Sequence, residues 1–301
     1  YINGKADSFK NFNDAILKSY NDKVTDEFIT PKIKNSKTGI IKSNDSIITF
    51  NFRSDRMRQI LSALTDKDFN HFSISNNKIS ITSMTEYNAK FDFPLLYEPI
   101  KLDNILAQIL SENNMNQLRA AETEKYAHVT YFFNGGEEKE FSGEDRLLIP
   151  SPNVATYDMQ PEMSAVELTD GVIERILDDK YEAIIMNYAN PDMVGHTGNI
   201  EAAVKAIETI DYCISRILRS TSAPVLITAD HGNLEMMINP ETKEVHTAHT
   251  TLPVPLFLVS CDNKFDLKKR GKLADIAPTI LDMLSIDIPD VMTGNSLLIK
   301  K

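Results

Sequence analysis

The spacing of apolar and polar residues predicts alternating strands and helices over the C-terminal two thirds of the chain. Residues 182–188 and 225–229 are short aliphatic runs, typical of buried strands. Between them, Ile and Val recur every three or four residues from Ile200 to Ile217, which indicates one long amphipathic helix. This alternation predicts an α/β fold with a mostly parallel sheet flanked by helices.

The same reasoning predicts the other elements of this region. We expect helices at 102–110, 164–177 and 276–284, and strands at 127–133 and 255–260.

The first hundred residues have a less regular pattern. We predict a helix around 14–20, a polar connection at 31–44, strands at 46–52 and 78–82, and a helix from Arg53 through Leu64. Residues 91–99 hold two prolines and show no clear period, which is typical of a linker. We therefore place a domain boundary here and expect domains at 1–97 and 98–301.

Composition narrows the classes of function. The 301 residues are 42% apolar and 25% charged, which is typical of a globular protein with a sizeable core. The formal net charge of −11 has the wrong sign for a nucleic-acid or anionic-membrane binder, so we expect neither as a partner. Two cysteines exclude a disulfide framework, and no apolar run reaches the ~20 residues of a membrane span. We therefore expect a cytoplasmic protein.

Asp and His residues recur beside three of the predicted strands. In parallel α/β sheets, ligands bind beyond the carboxyl ends of the strands, where loops converge. Carboxylates and neutral imidazoles are ligands for Mn²⁺, Zn²⁺ or Fe²⁺. The group as a whole therefore predicts a metal site, although any single member could be structural. Its members are Asp192, His196, Asp230, His231 and His249. His246 lies in the same segment as His249 and is either a hydrogen-bond donor to a ligand or an exposed residue.

Three cations form a second candidate group. Arg53 and Arg56 lie three residues apart at a predicted helix start, where they could bind a carboxylate or phosphate. Lys125 precedes the strand predicted at 127–133. Each alone is typical of a solvated surface, and we expect Arg58 to be one. His71 and His128 lie outside both groups and are interpreted as structural.

Seven stretches of the chain resemble cofactor-independent phosphoglycerate mutases, in order, from about Phe50 to the C-terminus. They are NFRSDR (51–56), TEKYAHVTYFFNGG (123–136), PSPNVATYD (150–158), PEMSA (161–165), NYANPDMVGH (187–196), TADHGN (228–233) and HTAHT (246–250). That family belongs to the alkaline phosphatase superfamily. The resemblance implies a phosphatase-like metal domain with an inserted α/β transferase domain, and interconversion of 3- and 2-phosphoglycerate in glycolysis and gluconeogenesis through a phosphoserine.

The resemblance also implies roles for individual residues. Asp192, His196 and His249 would hold one metal ion, while Asp230 and His231 would help to hold a second. Two Mn²⁺ are the expected cofactors, and Zn²⁺ or Fe²⁺ accept the same ligands.

The three cations acquire roles in the same way. Arg53 and Arg56 would bind the phosphoglycerate substrate, and Lys125 would lie by the phosphoryl group. We expect a monomer that acts on this small molecule.

One family feature has no counterpart in the sequence. In the family, the nucleophilic serine and a further aspartate come from a segment before the transferase insert, and no Ser here stands in that context. We therefore expect residues 1–97 to be the C-terminal part of the transferase domain, residues 98–301 to be the metal domain, and this chain alone to be inactive. Two alternatives stay open: a metal phosphatase, phosphodiesterase or phosphopentomutase of the same superfamily, and a non-catalytic metal-binding domain.

Overall fold

A computed structural model describes residues 6–35, 39–72, 78–98, 102–259 and 265–301. The chain divides into two compact units, Tyr1–Ile100 and Lys101–Lys301. This division lies three residues beyond the boundary predicted from the proline-containing segment. The identity of each unit as a domain of a particular kind remains a prediction.

The first unit is built from short elements. Its strands are β1 (Asp7–Phe9), β2 (Lys32–Lys34), β3 (Ser46–Ile48) and β4 (Ser80–Thr82), and its helices are α1 (Phe12–Asn21) and α2 (Asp55–Thr65). Strand β1 pairs with β2 and β3 with β4, both in parallel. Met57 and Leu61 of α2 pack with Ile81, Met84 and Tyr87 to form the core.

Predictions for this unit are partly confirmed. Both helices are confirmed as α1 and α2, and the strand at 78–82 as β4. The polar connection at 31–44 was wrong in part, because β2 lies within it and pairs with β1. The strand predicted at 46–52 ends at Ile48, and Phe50 and Phe52 are exposed.

The second unit contains the main sheet. Its strands are β5 (Gln117–Glu122), β6 (Glu144–Ile149), β7 (Ala183–Asn187), β8 (Val225–Thr228), β9 (Leu256–Val259), β10 (Phe265–Leu267) and β11 (Leu298–Lys300). Its helices are α3 (Leu106–Glu112), α4 (Thr123–Val129), α5 (Ala165–Leu177), α6 (Asn190–Gly195), α7 (Ile200–Ser220) and α8 (Ile276–Met283). Strands β6, β5 and β7 form a parallel sheet in that order, while β8–β9 and β10–β11 are antiparallel pairs.

Helices cover both faces of the parallel sheet. Leu118 of β5 packs in one cluster with Leu168 of α5 and Ile217 of α7. Ile185 of β7 packs on the other side against a cluster that includes Leu110 of α3 and Leu281 of α8. The alternation confirms the predicted α/β class, and the long helix predicted from the apolar stripe is confirmed as α7.

The strand predicted at 127–133 was wrong. Residues 123–129 form helix α4, and the strand lies just before it as β5. β-branched and aromatic residues at 129–133 favour a strand by propensity, but tertiary context overrides such preferences. Strand β5 escaped detection because Gln117, Arg119 and Glu122 are polar and yet fully buried. Strand β6 was also missed.

The structure describes one of the two cysteines. Cys213 is buried in α7, whereas Cys261 lies outside the described residues. Among the described residues, no helix is both long enough and apolar enough to cross a membrane.

Candidate metal centre

Asp192 lies at the carboxyl end of the parallel sheet. Strand β7 ends at Asn187, and α6 starts at Asn190 with a proline in its first turn, where Asp192 also lies. The Asn190 Nδ2 group donates hydrogen bonds to the carbonyls of Pro161 (2.8 Å) and Glu162 (2.7 Å), which fix the start of this short helix. The side chain of Asp192 therefore has a defined position beyond the strand, as predicted.

Three imidazoles converge on one oxygen of Asp192. The Oδ1 atom lies 2.8 Å from Nε2 of His249, 3.2 Å from Nε2 of His196 and 4.0 Å from Nε2 of His231. The Nε2 atoms of His196 and His249 are 3.1 Å apart, and the rings of His231 and His249 stack with centroids 3.7 Å apart. Loops after β7, after β8 and before β9 thus bring their donors to one place.

These separations fit a divalent cation. With metal–ligand bonds of about 2.1 Å, neighbouring ligand atoms lie about 3.0 Å apart at right angles and about 3.4 Å apart at tetrahedral angles. The distances among Asp192, His196 and His249 fall between 2.8 and 3.2 Å. In His196, Nδ1 is 2.7 Å from the carbonyl of Thr247. Donation from Nδ1 assigns the tautomer that leaves the Nε2 lone pair facing the centre.

The pair predicted for a second ion lies at the edge of this cluster. The Oδ2 atom of Asp230 is 3.6 Å from Nε2 of His231, and its side chain is 46% exposed. His231 lies closer to the first group than the sequence indicates, since its ligand atom clusters with those of Asp192 and His249 within 4.8 Å. His246 is half-buried, and its backbone N–H donates to the carbonyl of Met237 at 2.8 Å.

Lys125 reaches the opposite side of Asp192. Helix α4 follows β5 directly, and Lys125 lies in its first turn. The prediction that Lys125 precedes a strand was therefore wrong. Its side chain is buried, and Nζ donates to Oδ2 of Asp192 at 2.6 Å. The two carboxylate oxygens are therefore divided between an ammonium group and the imidazoles.

Electrostatics set protonation states suited to metal binding. Burial raises the pKa of Asp192, but hydrogen bonds from Lys125 and Asn233, with the charge of Lys125, hold that pKa far below its usual range. Burial lowers the pKa of His249, and this outweighs the opposing effect of Asp192. At neutral pH the carboxylate is ionised and the His249 imidazole is neutral, as metal ligands must be.

Arg53 and Arg56 belong to the first unit. Arg53 lies just before α2, with Nε 3.1 Å from Oδ2 of Asp55, and is largely exposed. Arg56 is exposed in the first turn of α2. Arg58 was wrongly expected to be a solvated surface residue: it is half-buried and donates from Nε to the Tyr87 carbonyl at 2.6 Å.

Sequence reasoning missed the residues that surround these donors. Asn233 lies within the TADHGN stretch and is buried, and its Nδ2 group donates to Oδ1 of Asp192 at 2.9 Å. Glu235 and Thr250 contact each other across two loops. The only sequence signal for them is proximity to His231 and His249.

Carboxylate and imidazole donors from the loops beside β7, β8 and β9 define a metal-binding α/β protein. The profile of the Metalloenzyme superfamily matches residues 18–288, so the chain belongs to that superfamily and has an alkaline-phosphatase-like fold. A divalent metal is therefore the cofactor class of this protein.

Individual relatives carry a more specific name. The chain is 50% identical over 294 residues to the 2,3-bisphosphoglycerate-independent phosphoglycerate mutase 1 of Methanosarcina barkeri, covering 95% of the chain and 57% of the relative. It is 53% identical to the 2,3-bisphosphoglycerate-independent phosphoglycerate mutase of Vesicomyosocius okutanii. That match covers 94% of the chain and 56% of the relative. The crystal structure of Leishmania mexicana phosphoglycerate mutase at low cobalt concentration matches with a TM-score of 0.88 and 26% identity. That match covers 100% of this chain and 60% of the Leishmania chain. The chain thus spans little more than half the length of these relatives.

Proposed function

We propose that this chain provides the metal-binding and substrate-binding portions of a cytoplasmic phosphoglycerate mutase. That enzyme interconverts 3- and 2-phosphoglycerate in glycolysis and gluconeogenesis, without 2,3-bisphosphoglycerate and through a phosphoserine. The observation that carries the proposal is the convergence of His196 and His249 on Oδ1 of Asp192 within 3.2 Å. The names of relatives about 50% identical to the chain support the choice of reaction.

The two units receive different roles. Residues 1–97 are the C-terminal part of the transferase domain, and residues 98–301 are the phosphatase-like metal domain. The complete enzyme is a monomer, in which the nucleophilic serine comes from a segment that this sequence does not contain.

The family resemblance suggests the metal ligands, and the observed cluster supports them. Asp192, His196 and His249 hold one Mn²⁺, while Asp230 and His231 help to hold a second, and Zn²⁺ or Fe²⁺ fits the same donors. When bound, the cations supply positive charge that stabilises a serine alkoxide and the phosphoryl oxygens.

The remaining residues bind and orient. Arg53 and Arg56 hold the phosphoglycerate through paired N–H groups, which suit carboxylate and phosphate geometry. Lys125 keeps Asp192 ionised, and its buried ammonium group adds positive charge beside the phosphoryl position. Holding the glycerate while it reorients allows the phosphoryl group to leave one hydroxyl and return to the other.

An activity assay tests the reaction class. The chain is fused behind the N-terminal portion of the Methanosarcina barkeri relative that it does not match, and conversion of 3-phosphoglycerate is followed with Mn²⁺ present. We expect turnover by the fusion, none by the 301-residue chain, and none by the fusion carrying His249→Ala.

Other outcomes identify the alternatives. Rapid hydrolysis of a generic phosphate ester with no mutase product would indicate a phosphatase of the same superfamily. Stoichiometric metal binding without turnover would favour a non-catalytic metal-binding domain.

Metal analysis tests the centre independently of turnover. We expect about one tightly bound Mn²⁺ per chain at pH 8, lost in His249→Ala and released on acidification through pH 6–7, because protons compete for imidazole nitrogens. No bound metal at pH 8, or an affinity unchanged down to pH 5.5, would contradict the assignment.

A further inference from the structure

Two residues outside the proposed ligand set connect the loops that carry it. Glu235 lies in the short helical turn after His231, and its Oε2 atom accepts a hydrogen bond from the backbone N–H of Asn233 at 2.7 Å. Its other oxygen, Oε1, accepts a hydrogen bond from the hydroxyl of Thr250. Both carboxylate oxygens are thus engaged in holding neighbouring chain segments.

Asn233 extends this connection to Asp192. Its side chain is 5% exposed, and Nδ2 donates to the Oδ1 atom of Asp192 at 2.9 Å and to the Asp192 carbonyl at 3.3 Å. The same residue therefore receives support from Glu235 through its backbone and orients the ligand carboxylate through its side chain.

The connection closes through the loop before β9. Thr250 follows His249 directly, and its backbone N–H donates to the carbonyl of Gly232 at 2.9 Å. His249 in turn contacts Asp192. The hydrogen bonds, together with the peptide bond between His249 and Thr250, thus form a closed path from Asp192 through Asn233, Glu235 and Thr250 to His249 and back.

Gly232 is required by the same packing. A Cβ atom at this position would collide with the Glu235 carboxylate and the Thr250 hydroxyl, which lie directly over the glycine. The close approach leaves no space for a side chain between the two loops. Glycine here is thus explained by the Glu235–Thr250 contact.

We propose that Glu235 and Thr250 are positioning residues for the metal centre, a role that rests on the proposed metal site. They contribute no ligand atom. They hold the loop of His231 and the loop of His249 at a fixed separation, so that the imidazoles and Asp192 are arranged before the cation binds. Partners that orient metal ligands typically contribute about 10- to 100-fold to metal affinity.

The test measures Mn²⁺ affinity of the 301-residue chain by isothermal titration calorimetry. We expect Glu235→Ala to weaken binding about 10- to 100-fold. Thr250→Val should also weaken Mn²⁺ binding, because the methyl group that replaces the hydroxyl has a similar size but cannot donate to Glu235. Thr250→Ser keeps the hydroxyl and should bind within about twofold of the unaltered chain. Glu241→Gln, an exposed residue of the same loop, is the matched control and should change nothing.

Two further measurements separate positioning from ligation and from misfolding. Pulsed EPR of bound Mn²⁺ should detect the same number of imidazole nitrogens in Thr250→Val as in the unaltered chain. The double variant Glu235→Ala/Thr250→Val should bind about as weakly as Glu235→Ala alone, because that substitution already removes the hydrogen bond that Thr250→Val removes. If Glu235→Ala fails to fold, the Thr250→Ser and Thr250→Val pair decides.

Three results would overturn the inference. The first is a Mn²⁺ affinity within twofold of that of the unaltered chain for both Glu235→Ala and Thr250→Val. The second is an equal loss of Mn²⁺ affinity in Thr250→Ser and Thr250→Val. The third is a smaller number of imidazole nitrogens on Mn²⁺ in Thr250→Val. Where the unaltered chain binds Mn²⁺ normally, such results reject this inference alone. An unaltered chain that binds no Mn²⁺ rejects the metal site as well.

Discussion

The parallel sheet of β5, β6 and β7 is more deeply packed than the antiparallel pair of β8 and β9. The candidate metal centre nevertheless takes residues from the loops of both. The parallel sheet is covered on both faces and contributes to two core clusters. Among the described residues, no member of β8 or β9 belongs to any of the four core clusters, and Phe257 of β9 is 58% exposed.

The centre therefore combines one firmly packed half with one weakly packed half. Asp192 and His196 follow β7, whereas His231 follows β8 and His249 precedes β9. Core packing fixes the first two. The position of the other two depends on hydrogen bonds between loops, so we expect a bound cation to add local stability there.

The largest expected effect is that of removing the ammonium group behind Asp192. Lys125→Met leaves a buried carboxylate without its charged partner and should lower the free energy of unfolding of the metal-free chain by about 3–5 kcal/mol. Saturating Mn²⁺ should reduce this loss. Chemical denaturation with and without Mn²⁺ measures both.

A surface ion pair provides the control. Lys180 pairs with Asp145, but both side chains are about half exposed, so Lys180→Met should leave the free energy of unfolding nearly unchanged. Equal losses for the two lysines would show that Lys125 does not support the packed half of the centre.

Core truncation tests the difference in packing directly. Leu168 of α5 is fully buried against the parallel sheet, and Leu168→Ala should lower the free energy of unfolding by about 2–5 kcal/mol. Phe257→Ser in β9 should change it by no more than about 0.5 kcal/mol. A Phe257 variant as destabilised as the Leu168 variant would remove the distinction.

A pH titration tests the start of helix α8, which packs against β7. Asp275, which precedes α8, accepts backbone hydrogen bonds from Asn295 and Lys272, both at 2.8 Å. Burial raises its pKa, but those hydrogen bonds outweigh burial and lower it below the ordinary value of 3.8. Its stabilisation is therefore present above about pH 4 and lost as pH falls through the lowered pKa.

Asp275→Asn should accordingly lower the free energy of unfolding by about 1.5–3 kcal/mol at pH 7. The difference from the unaltered chain should shrink in acid. Asp287→Asn, at an exposed position in the same region, is the control. A difference independent of pH would exclude the ionised carboxylate as its source.

The smallest expected effect is on local opening. Amides of Val225–Thr228 should exchange with deuterium about tenfold faster than those of Gln117–Glu122, because few buried apolar contacts hold the antiparallel pair. Mn²⁺ should slow exchange in residues 229–233 and 247–251 but not in β5. Uniform protection without metal would show that the two regions are equally stable.

Hydrophobic periodicity predicted the elements whose buried side chains are apolar. Helix α7 and strand β7 were found because their apolar residues repeat at helical spacing or form a continuous run. Strand β5 was missed because its buried polar side chains have compensating partners. Arg119 donates to Gln117 at 2.7 Å, and its guanidinium carbon lies 4.7 Å from the Phe133 ring centre. Glu122 accepts a hydrogen bond from the Ser151 hydroxyl at 2.9 Å. Phe133 and Ser151 are distant from β5 in sequence, so hydrophobic periodicity does not reveal these contacts.

The candidate site shows the same limit. The positions of Asp192, His196 and His249 next to strands predicted their convergence. The contact between Lys125 and Asp192 was not predicted, because we expected a strand at 127–133. The segment instead begins with helix α4, which directs Lys125 inward. Glu235 was missed for a similar reason, since its role depends on how two loops align.

The contact between Lys125 and Oδ2 of Asp192 also limits how this carboxylate can coordinate. With one oxygen held by an ammonium group, Asp192 would ligate a cation through Oδ1 alone. A metal held by this oxygen and two imidazole nitrogens would keep coordination positions open, and an incoming oxygen ligand could fill them without displacing a protein side chain.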